Sequence, residues 1–284
     1  MPMALTEQTS PYAHWEYVHP DSGDRLRILP ERGGLVSEWC CSGREVLYFD
    51  QQRYADPTKS IRGGIPVLFP ICGNLPDDRL VVNGVAHTLV QHGFARDLPW
   101  TLQLLDDQSG IRLSLESSSH TEAAYPFAFL IEIEVRPVDH ALEINATIHN
   151  RSSEPMPFSF GLHPYFKVSD LARTQLTGLA DRCVNHLEMA SAATATQLEH
   201  LAQGVDFLCQ PNGPVTLVDE VNGSRLQLQH QAPFDLTVVW TEPPRPMVCL
   251  EPWTGPRQAL LSGDRRLVLE HGAHHALACR YALS

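Results

Sequence analysis

Short runs of residues typical of β-strands, separated by turn residues, recur along the whole chain, and this pattern constrains the fold more than any other. Asn-Gly pairs lie between strand-like runs in Leu80–His87 and Val221–Leu228, and Asn-Gly is the strongest short-range signal for a hairpin. Apolar and polar residues alternate in Phe129–Val135 and Ala141–His149, as they do in strands with one buried face. The sequence therefore predicts an all-β fold, a large antiparallel β-sandwich.

The same pattern predicts further strands in both halves of the chain. They are Thr101–Leu105, Ile111–Leu115, Leu236–Trp240, Met247–Glu251, Arg266–Leu269 and Ala276–Tyr281. Only Ala192–Leu201 has the character of a helix. Because no repeat, linker or low-complexity tract divides the chain, we expect residues 1–284 to form a single domain.

Charge and cysteine content restrict the partners and the compartment. A formal net charge of −12 and a pI near 5.5 argue against nucleic acid or an anionic membrane as a partner. The first seven residues, Met1–Glu7, do not resemble a signal peptide, and no apolar run approaches a membrane span. The seven cysteines are scattered without a Cys-x-x-Cys motif, which favours reduced core thiols. We therefore expect a cytoplasmic protein, either a monomer or a weak homodimer.

Two segments carry the strongest chemical signal. Phe158–His163 and Met247–Glu251 each read as a short apolar strand that ends on an ionisable side chain and is followed by a proline. Strand alternation places Gly161 and His163 on one face with little side-chain bulk, which predicts room for a ligand beside the imidazole. Glu251 shares a face with apolar side chains, and desolvation there would raise its pKa and suit it to act as a general base.

Two further segments combine glycine with cationic side chains. Ser60–Pro70 reads as a loop in which Arg62 precedes a Gly-Gly pair that permits close approach of the backbone to a ligand. Gln91–Asp97 places His92 and Arg96 four residues apart around a glycine. Each segment alone is more typical of a structural ion pair or a turn than of a ligand site, and both interpretations remain open here.

The histidines do not predict a metal site. Fourteen histidines are present, but none of them form a His-Glu-x-x-His motif or a Cys/His quartet with ligand spacing. P-loop, Gly-x-Gly-x-x-Gly and Gly-x-Ser-x-Gly motifs are also missing from the sequence. We therefore expect no metal ion, no nucleotide site and no serine hydrolase chemistry.

Taken together, four blocks resemble a known family. Arg-Gly-Gly-Ile-Pro-Val-x-Phe-Pro from Arg62, His-Gly-Phe-Ala-Arg from His92, Leu-His-Pro-Tyr-Phe from Leu162 and the late strand ending at Glu251 occur in this order. As a set they are similar to the aldose 1-epimerase (galactose mutarotase) superfamily, and most similar to its hexose-6-phosphate mutarotase branch. The resemblance spans residues from about 15 to 282. It implies a galactose mutarotase-like supersandwich, a sugar site in a cleft on one sheet, and an isomerase that needs no cofactor.

The resemblance also implies roles for individual residues. His163 corresponds to the general acid that protonates the ring oxygen, and Glu251 to the general base at the anomeric hydroxyl. His92 corresponds to a second histidine that orients the substrate. Asp206, in a looser match, corresponds to an aspartate that holds sugar hydroxyls.

The resemblance leaves the phosphate question open. Arg62 and Arg96 match arginines that bind the sugar phosphate, but Phe69–Pro76 lacks the aromatic-rich stretch of the phosphate-specific members. Pairing of both arginines with nearby carboxylates, Asp97 first among them, is the competing interpretation. Three aromatic residues lie beside the acid and the base in sequence: Tyr165, Phe166 and Trp253. They could stack on the sugar or pack in the core, and both alternatives are open here.

The predicted function is therefore interconversion of the α and β anomers of a hexose, with a sugar or a sugar phosphate as the partner. Two alternatives from other classes remain. One is a carbohydrate-binding protein that kept the cleft and lost catalysis, and the other is a structural or regulatory β-sandwich. Accelerated anomer exchange would distinguish the enzyme from a carbohydrate-binding protein. Sugar binding would distinguish both of these from a structural or regulatory β-sandwich.

Overall fold

The computed structural model describes residues 4–284. Met1–Met3, which belong to the segment Met1–Glu7 discussed above, lie outside the described residues. Most of the secondary structure is β, arranged in two eight-stranded antiparallel sheets and three smaller sheets. The predicted all-β sandwich is therefore confirmed. Within the described residues, none of the helices is long and apolar enough to cross a membrane.

One large sheet, called the back sheet, consists of eight strands numbered in chain order. In spatial order they are β16 (Thr174–Thr177), β20 (Val215–Asp219), β21 (Ser224–His230), β25 (His274–Leu283), β12 (Ala141–Asn150), β11 (Phe129–Val138), β10 (Ile111–Glu116) and β9 (Thr101–Leu104). Along β11, buried Phe129, Ile131 and Ile133 alternate with partly exposed residues. One face of this sheet therefore belongs to the core, as the period of two requires.

The second large sheet, called the cleft sheet, carries the candidate site. Its strands in spatial order are β18 (Ala190–Ala193), β17 (Arg182–Asn185), β19 (Asp206–Cys209), β22 (Leu236–Trp240), β23 (Met247–Trp253), β14 (Gly161–Leu162) and β6 (Val67–Leu68). A further short strand, β15 (Tyr165–Lys167), also pairs with β23. Because β22 occupies one edge of β23, β14 and β15 share its other edge.

The remaining elements are small. A sheet of five consecutive strands contains β1 (Leu5–Gln8), β2 (His14–Val18), β3 (Arg25–Leu29), β4 (Leu35–Cys41) and β5 (Arg44–Glu45). Two separate pairs are β7 (Arg79–Val82) with β8 (Val85–Thr88), and β13 (Met156–Phe158) with β24 (Leu267–Leu269). The helices are α1 (Gln51–Tyr54), α2 (Ser119–Ala124), α3 (Thr194–Leu198) and α4 (Ala259–Ser262).

The core lies between the back sheet and the inner face of the cleft sheet. The ring of Tyr281 in β25 lies 4.9 Å from the ring of Phe166 in β15. Its hydroxyl donates a hydrogen bond of 3.1 Å to the carbonyl of Leu250 in β23. All seven cysteines are buried and free, which agrees with the predicted reduced core thiols. The sandwich therefore holds the cleft sheet on a packed support.

Local turn signals predicted the hairpins correctly. Asn83 and Gly84 join β7 to β8, with both residues at positive φ. Asn222 and Gly223 lie in the turn between β20 and β21. The strands predicted at Thr101–Leu105, Ile111–Leu115, Phe129–Val135, Ala141–His149, Leu236–Trp240, Arg266–Leu269 and Ala276–Tyr281 are present with small shifts at their ends.

Three expectations about local structure are wrong. Ala192–Leu201 is not one helix, because Ala192 and Ala193 end β18 and α3 covers only five residues. The prediction of a single helix also missed α1, α2 and α4, which have four to six residues each and are too short to show a periodic apolar face. Ser60–Pro70 is not entirely a loop, because it contains β6.

Candidate active site

The seven residues that the sequence indicates for the site line one cleft on the outer face of the cleft sheet. They are His163, Glu251, His92, Arg62, Arg96, Asp206 and Trp253. The cleft contains about 650 Å³ of space, part of which is open solvent. Segments far apart in sequence thus meet at one concave surface large enough for a pyranose ring.

His163 and Glu251 face each other across two paired stretches of backbone. The residue pairs on either side of them in the register are Gly161 with Trp253 and Tyr165 with Cys249. This register places His163 opposite Glu251, and residues in such positions have Cβ atoms about 4.5–5.5 Å apart. Accordingly, His163 Nε2 lies 3.3 Å from Glu251 Oε1. Sheet pairing therefore sets the separation of the two groups.

The expectation that Glu251 ends a strand is wrong, while His163 follows directly after the end of β14. β23 continues through the proline to Trp253, and Phe158 belongs to β13, which pairs with β24 in another sheet. The imidazole of His163 does line the open cleft, but the position of Gly161 leaves no further space. A Cβ added to Gly161 would lie 2.8 Å from Cys72 Sγ and 2.8 Å from Trp253 Cδ1. Gly161 is therefore needed for packing under the cleft.

The backbone around His163 is held by the segment 60–70. Pro164 has no N–H, while the N–H of His163 donates to Pro66 O and the N–H of Tyr165 donates to Gly64 O, each at 2.9 Å. Cβ atoms added to Gly63 or Gly64 would lie 2.5 Å from main-chain atoms of neighbouring segments. These glycines therefore allow two stretches of chain to approach each other, rather than a ligand to approach the chain.

Burial favours the neutral form of both groups in the pair. Only 12% of the His163 side chain and 1% of the Glu251 side chain are exposed. Desolvation, with the positive charge of Arg96 second, lowers the pKa of His163 to about 3. Desolvation, with the negative charge of Asp206 second, raises the pKa of Glu251 well above its ordinary value. Between its two pKa values the pair therefore holds one proton, which burial favours on Glu251 rather than on His163.

His92 lies beside the pair as a hydrogen-bond donor. Its ring centroid is 5.8 Å from that of His163 and 5.8 Å from that of Trp253. The N–H of Gly73 donates to His92 Nδ1 at 3.1 Å, so the proton of the neutral ring is on Nε2. Burial and the charge of Arg96 hold the pKa of His92 well below its usual range. The imidazole can therefore donate to a ligand oxygen.

Aromatic side chains form the walls. Tyr165 stacks on the imidazole of His163 at 4.8 Å, and Trp240 meets the same ring edge-on at 5.6 Å. Trp253 also lines the cleft, and its Nε1 donates to Glu251 Oε2 at 3.2 Å. Phe166 instead packs in the core, so for this residue the core alternative is correct. Trp240 was missed, and its only sequence signal is its place at the end of a predicted strand.

The two predicted arginines differ in how far they are already paired. Arg62 binds Glu242 with two hydrogen bonds, of 2.9 and 3.3 Å, and its guanidinium lies 5.5 Å from the ring centroid of Trp240. Arg96 approaches the exposed Asp97 only to 3.7 Å and donates one hydrogen bond to a main-chain carbonyl. Asp97 therefore contacts one of the two arginines, and the main partner of Arg62 lies far away in sequence.

Asp206 already has partners on both carboxylate oxygens. Oδ1 lies 2.7 Å from His186 Nδ1, and Oδ2 accepts a hydrogen bond of 2.8 Å from Arg257. His186 stacks on Trp253, with 6.0 Å between ring centroids and 23° between ring planes. The sequence interpretation missed His186 and Arg257, because neither residue has a motif around it. The role of Asp206 toward sugar hydroxyls remains a prediction.

One group of potential metal ligands was also missed by sequence spacing. Ligand atoms of His163, Cys249 and Glu251 lie within 4.8 Å of one another, because cross-strand pairing joins residues that no linear motif connects. Burial raises the pKa of the Cys249 thiol and of the Glu251 carboxyl well above their usual ranges. A metal ion would have to displace both protons before it could bind.

Comparison with known proteins agrees with this fold. The family model described as aldose 1-epimerase matches residues 23–282. This chain belongs to the aldose 1-epimerase family. The Slr1438 protein from Synechocystis sp. PCC 6803 is 32% identical, with a TM-score of 0.91 over 100% of this chain and 98% of that chain. The galactose mutarotase related enzyme from Lactobacillus acidophilus is 20% identical, with a TM-score of 0.77 over 95% and 97% of the two chains, which supports the fold alone.

A curated relative within the family comes from Escherichia coli (strain K12) and is named "Putative glucose-6-phosphate 1-epimerase". It is 30% identical over 169 residues, which cover 58% of this chain and 53% of the relative. The chain thus spans about half the length of this curated relative. Family membership is therefore shown, while the activity and the substrate of this chain are proposals.

Proposed function

We propose that this protein is an aldose 1-epimerase, which interconverts the α and β anomers of a hexose by opening and reclosing the ring. The observation that carries the proposal is the His163–Glu251 pair, 3.3 Å apart in a cleft of sugar size. Membership of the aldose 1-epimerase family supports it. We further propose that residues 1–284 form a single domain with its core from about 15 to 282, which the family match to residues 23–282 supports. A cytoplasmic location and a monomer or weak homodimer are also proposed.

The reaction needs one proton acceptor and one proton donor. The Glu251 carboxylate takes the proton of the anomeric O1 while protonated His163 donates to the ring oxygen, and the bond between C1 and the ring oxygen breaks. The aldehyde then rotates, and the ring closes on its other face as both protons return. Such proton transfers each accelerate a reaction roughly a hundredfold to ten-thousandfold. No electron or group leaves the sugar, so the chemistry requires no cofactor.

The buried environment favours the ring-opening direction. The step starts from the carboxylate–imidazolium form, which burial makes the minor form of the singly protonated pair, and it ends with carboxylic acid and neutral imidazole. Because burial raises the pKa of Glu251 and lowers that of His163, the cleft stabilises the neutral pair that ring opening produces. His92 and the rings of Tyr165 and Trp253 can hold the open chain while it rotates.

We propose that the preferred sugar carries a phosphate, bound by Arg96 with help from Arg62. Both side chains line the cleft, and a dianion needs local positive charge in a chain of net charge −12. Arg96 is the stronger candidate, because Glu242 already neutralises Arg62. The name of the Escherichia coli relative supports a phosphorylated substrate. A wild-type kcat/KM that favours glucose over glucose 6-phosphate would remove this part of the proposal.

The test is magnetisation-exchange NMR on the anomers of glucose, galactose and their 6-phosphates. The wild-type protein should accelerate exchange for at least one sugar, and His163→Asn and Glu251→Gln should abolish the acceleration. Both substituted side chains are buried, so each variant is also checked for folding by thermal unfolding. Glu251→Gln should still fold, because burial already favours the neutral carboxyl.

Glu143→Gln is a matched control, since Glu143 pairs with Arg280 on the back sheet away from the cleft. Wild-type exchange rates in both site variants would refute the assignment. Sugar binding without accelerated exchange in the wild-type protein would favour the alternative, a carbohydrate-binding protein. An absence of both would favour the structural β-sandwich.

A further inference from the structure

We infer that Arg257 binds ring hydroxyls of the sugar, and that Asp206 acts as the residue that positions its guanidinium. This inference rests on the proposed function and adds a specificity-determining residue to it. The target group is the neutral edge of a pyranose, where adjacent hydroxyls can accept hydrogen bonds. Arg257 lines the cleft and lies in the loop that follows β23, four residues after Trp253.

The guanidinium is held from one side by a chain of contacts. Arg257 donates to Asp206 Oδ2 at 2.8 Å, and Asp206 Oδ1 lies 2.7 Å from His186 Nδ1. The His186 ring rests on Trp253, which in turn donates to Glu251. Because both Asp206 oxygens are occupied, this corner of the cleft offers N–H donors to a ligand rather than a free carboxylate.

The aliphatic stem of Arg257 is fixed as well. A Cβ added to Gly73 would lie 2.3 Å from Arg257 Cγ, so only glycine leaves room for this stem. The same glycine exchanges two hydrogen bonds with His92, one through its N–H at 3.1 Å and one through its carbonyl at 2.6 Å. Gly73 therefore ties the position of Arg257 to that of the neighbouring imidazole.

Arg257 retains unused donors that face a ligand site. An arginine has five N–H donors, and Nη2 alone accounts for the ion pair with Asp206. Its Nε is buried and has no hydrogen-bond partner among residues 4–284. A ligand in the cleft cannot reach that atom, but 17% of the Arg257 side chain is exposed and the residue lines the cleft, so the donors at the tip of the guanidinium can reach a bound sugar hydroxyl.

Charge separates the role of Arg257 from that of Arg96. Asp206 neutralises Arg257 at 2.8 Å, whereas the only ion-pair partner of Arg96 in the described residues is Asp97, at 3.7 Å and largely exposed. A dianionic phosphate is therefore attracted most strongly to Arg96. The neutral ion pair of Arg257 and Asp206 suits uncharged hydroxyls, which both sugars and sugar phosphates carry.

The experiment compares KM and kcat for glucose and glucose 6-phosphate in Arg257→Met and Arg96→Met. Arg257→Met should raise KM about tenfold to a hundredfold by the same factor for both substrates, as expected when a charge-assisted hydrogen bond is lost. Its kcat should change much less. Arg96→Met should raise KM mainly for glucose 6-phosphate. Asp206→Asn should also raise both KM values with a smaller effect on kcat, because the guanidinium loses its anchor.

Arg280→Met is the matched control, because Arg280 pairs with Glu143 outside the cleft. Thermal unfolding identifies misfolded variants, and Arg257→Lys, which keeps the charge but not the planar fork, should give an intermediate KM. A KM for glucose within about twofold of wild type in Arg257→Met would overturn the inference, because the loss of one hydrogen bond should raise KM by more than that. So would a loss confined to glucose 6-phosphate.

A wild-type protein without accelerated exchange would refute the proposed function but not this inference. In that case calorimetric titration with glucose 6-phosphate decides. Weaker binding by Arg257→Met than by the wild-type protein would support the role of Arg257. Equal binding, or no binding by either protein, would overturn it.

Discussion

Replacing Gly161 by alanine tests the packing that supports the acid–base pair. Gly161 has a backbone conformation that other residues adopt, so the only penalty of Gly161→Ala comes from contacts of the new methyl group. That group would lie 2.8 Å from Cys72 Sγ, 2.8 Å from Trp253 Cδ1 and 3.2 Å from Leu68 Cδ1. All three neighbours are at most 1% exposed, so none of them can move into solvent.

The expected loss follows from the cost of overpacking a buried site. Inserting a methylene into a well-packed core costs about 1–3 kcal/mol. Each kcal/mol lowers the Tm by roughly 2–4 °C in large single domains, so Gly161→Ala should unfold about 2–12 °C below wild type. Anomer exchange should fall as well, because displacement of Trp253 disturbs its hydrogen bond of 3.2 Å to Glu251.

The assay is thermal unfolding followed by circular dichroism, with exchange NMR on the same samples. Gly213→Ala is the control, because Gly213 also has an ordinary φ and no described atom lies within 4 Å of the added Cβ. Cys72→Ala should relieve part of the clash, so the double variant should lose less stability than the sum of the single variants. Equal Tm values for Gly161→Ala and Gly213→Ala would refute the close-contact argument.

Two further predictions concern protonation and are measured by kcat/KM against pH. The wild-type profile should be bell-shaped, with its limbs in the reverse of the order that the ordinary pKa values of glutamate and histidine would give. The acid limb, near pH 3, belongs to His163, and the alkaline limb belongs to Glu251, whose pKa is raised. If Glu251→Asp moves the acid limb and leaves the alkaline limb in place, this order is wrong. Trp253→Phe removes the donor that stabilises the Glu251 carboxylate, so the alkaline limb should move to higher pH, and an unmoved limb would show that the indole N–H does not act on Glu251.

Elements with strong local signals were predictable from the sequence. β22 was predicted with the bounds Leu236–Trp240 that the structure has, and the β20–β21 hairpin follows from its Asn-Gly turn. The four helices have no more than six residues each and owe their formation to tertiary contacts and local caps, such as the capping box at Ser118. A helix of one or two turns cannot display the apolar periodicity on which sequence reasoning depends.

The site was predictable in its residues but not in its pairings. Strand parity and the family resemblance both indicated His163 and Glu251, yet the parity argument treated Phe158–His163 as one strand, and the chain in fact changes sheets after Phe158. Arg62 meets Glu242 at a separation of 180 residues, and Arg257 was not considered at all. Ion pairs of this kind depend on the final sheet order, which local patterns do not encode.

The position of His163 opposite Glu251 has a consequence for how the protein acquires its activity during folding. β23 must pair with β22 on one edge and with β14 and β15 on the other before the two groups meet. β22 directly precedes β23 in the chain, but β14 and β15 are distant from β23 in sequence, and non-local pairings of this kind form slowly because loop closure precedes them. Recovery of catalysis after dilution from denaturant would therefore report the moment when the cleft sheet closes around its central strand.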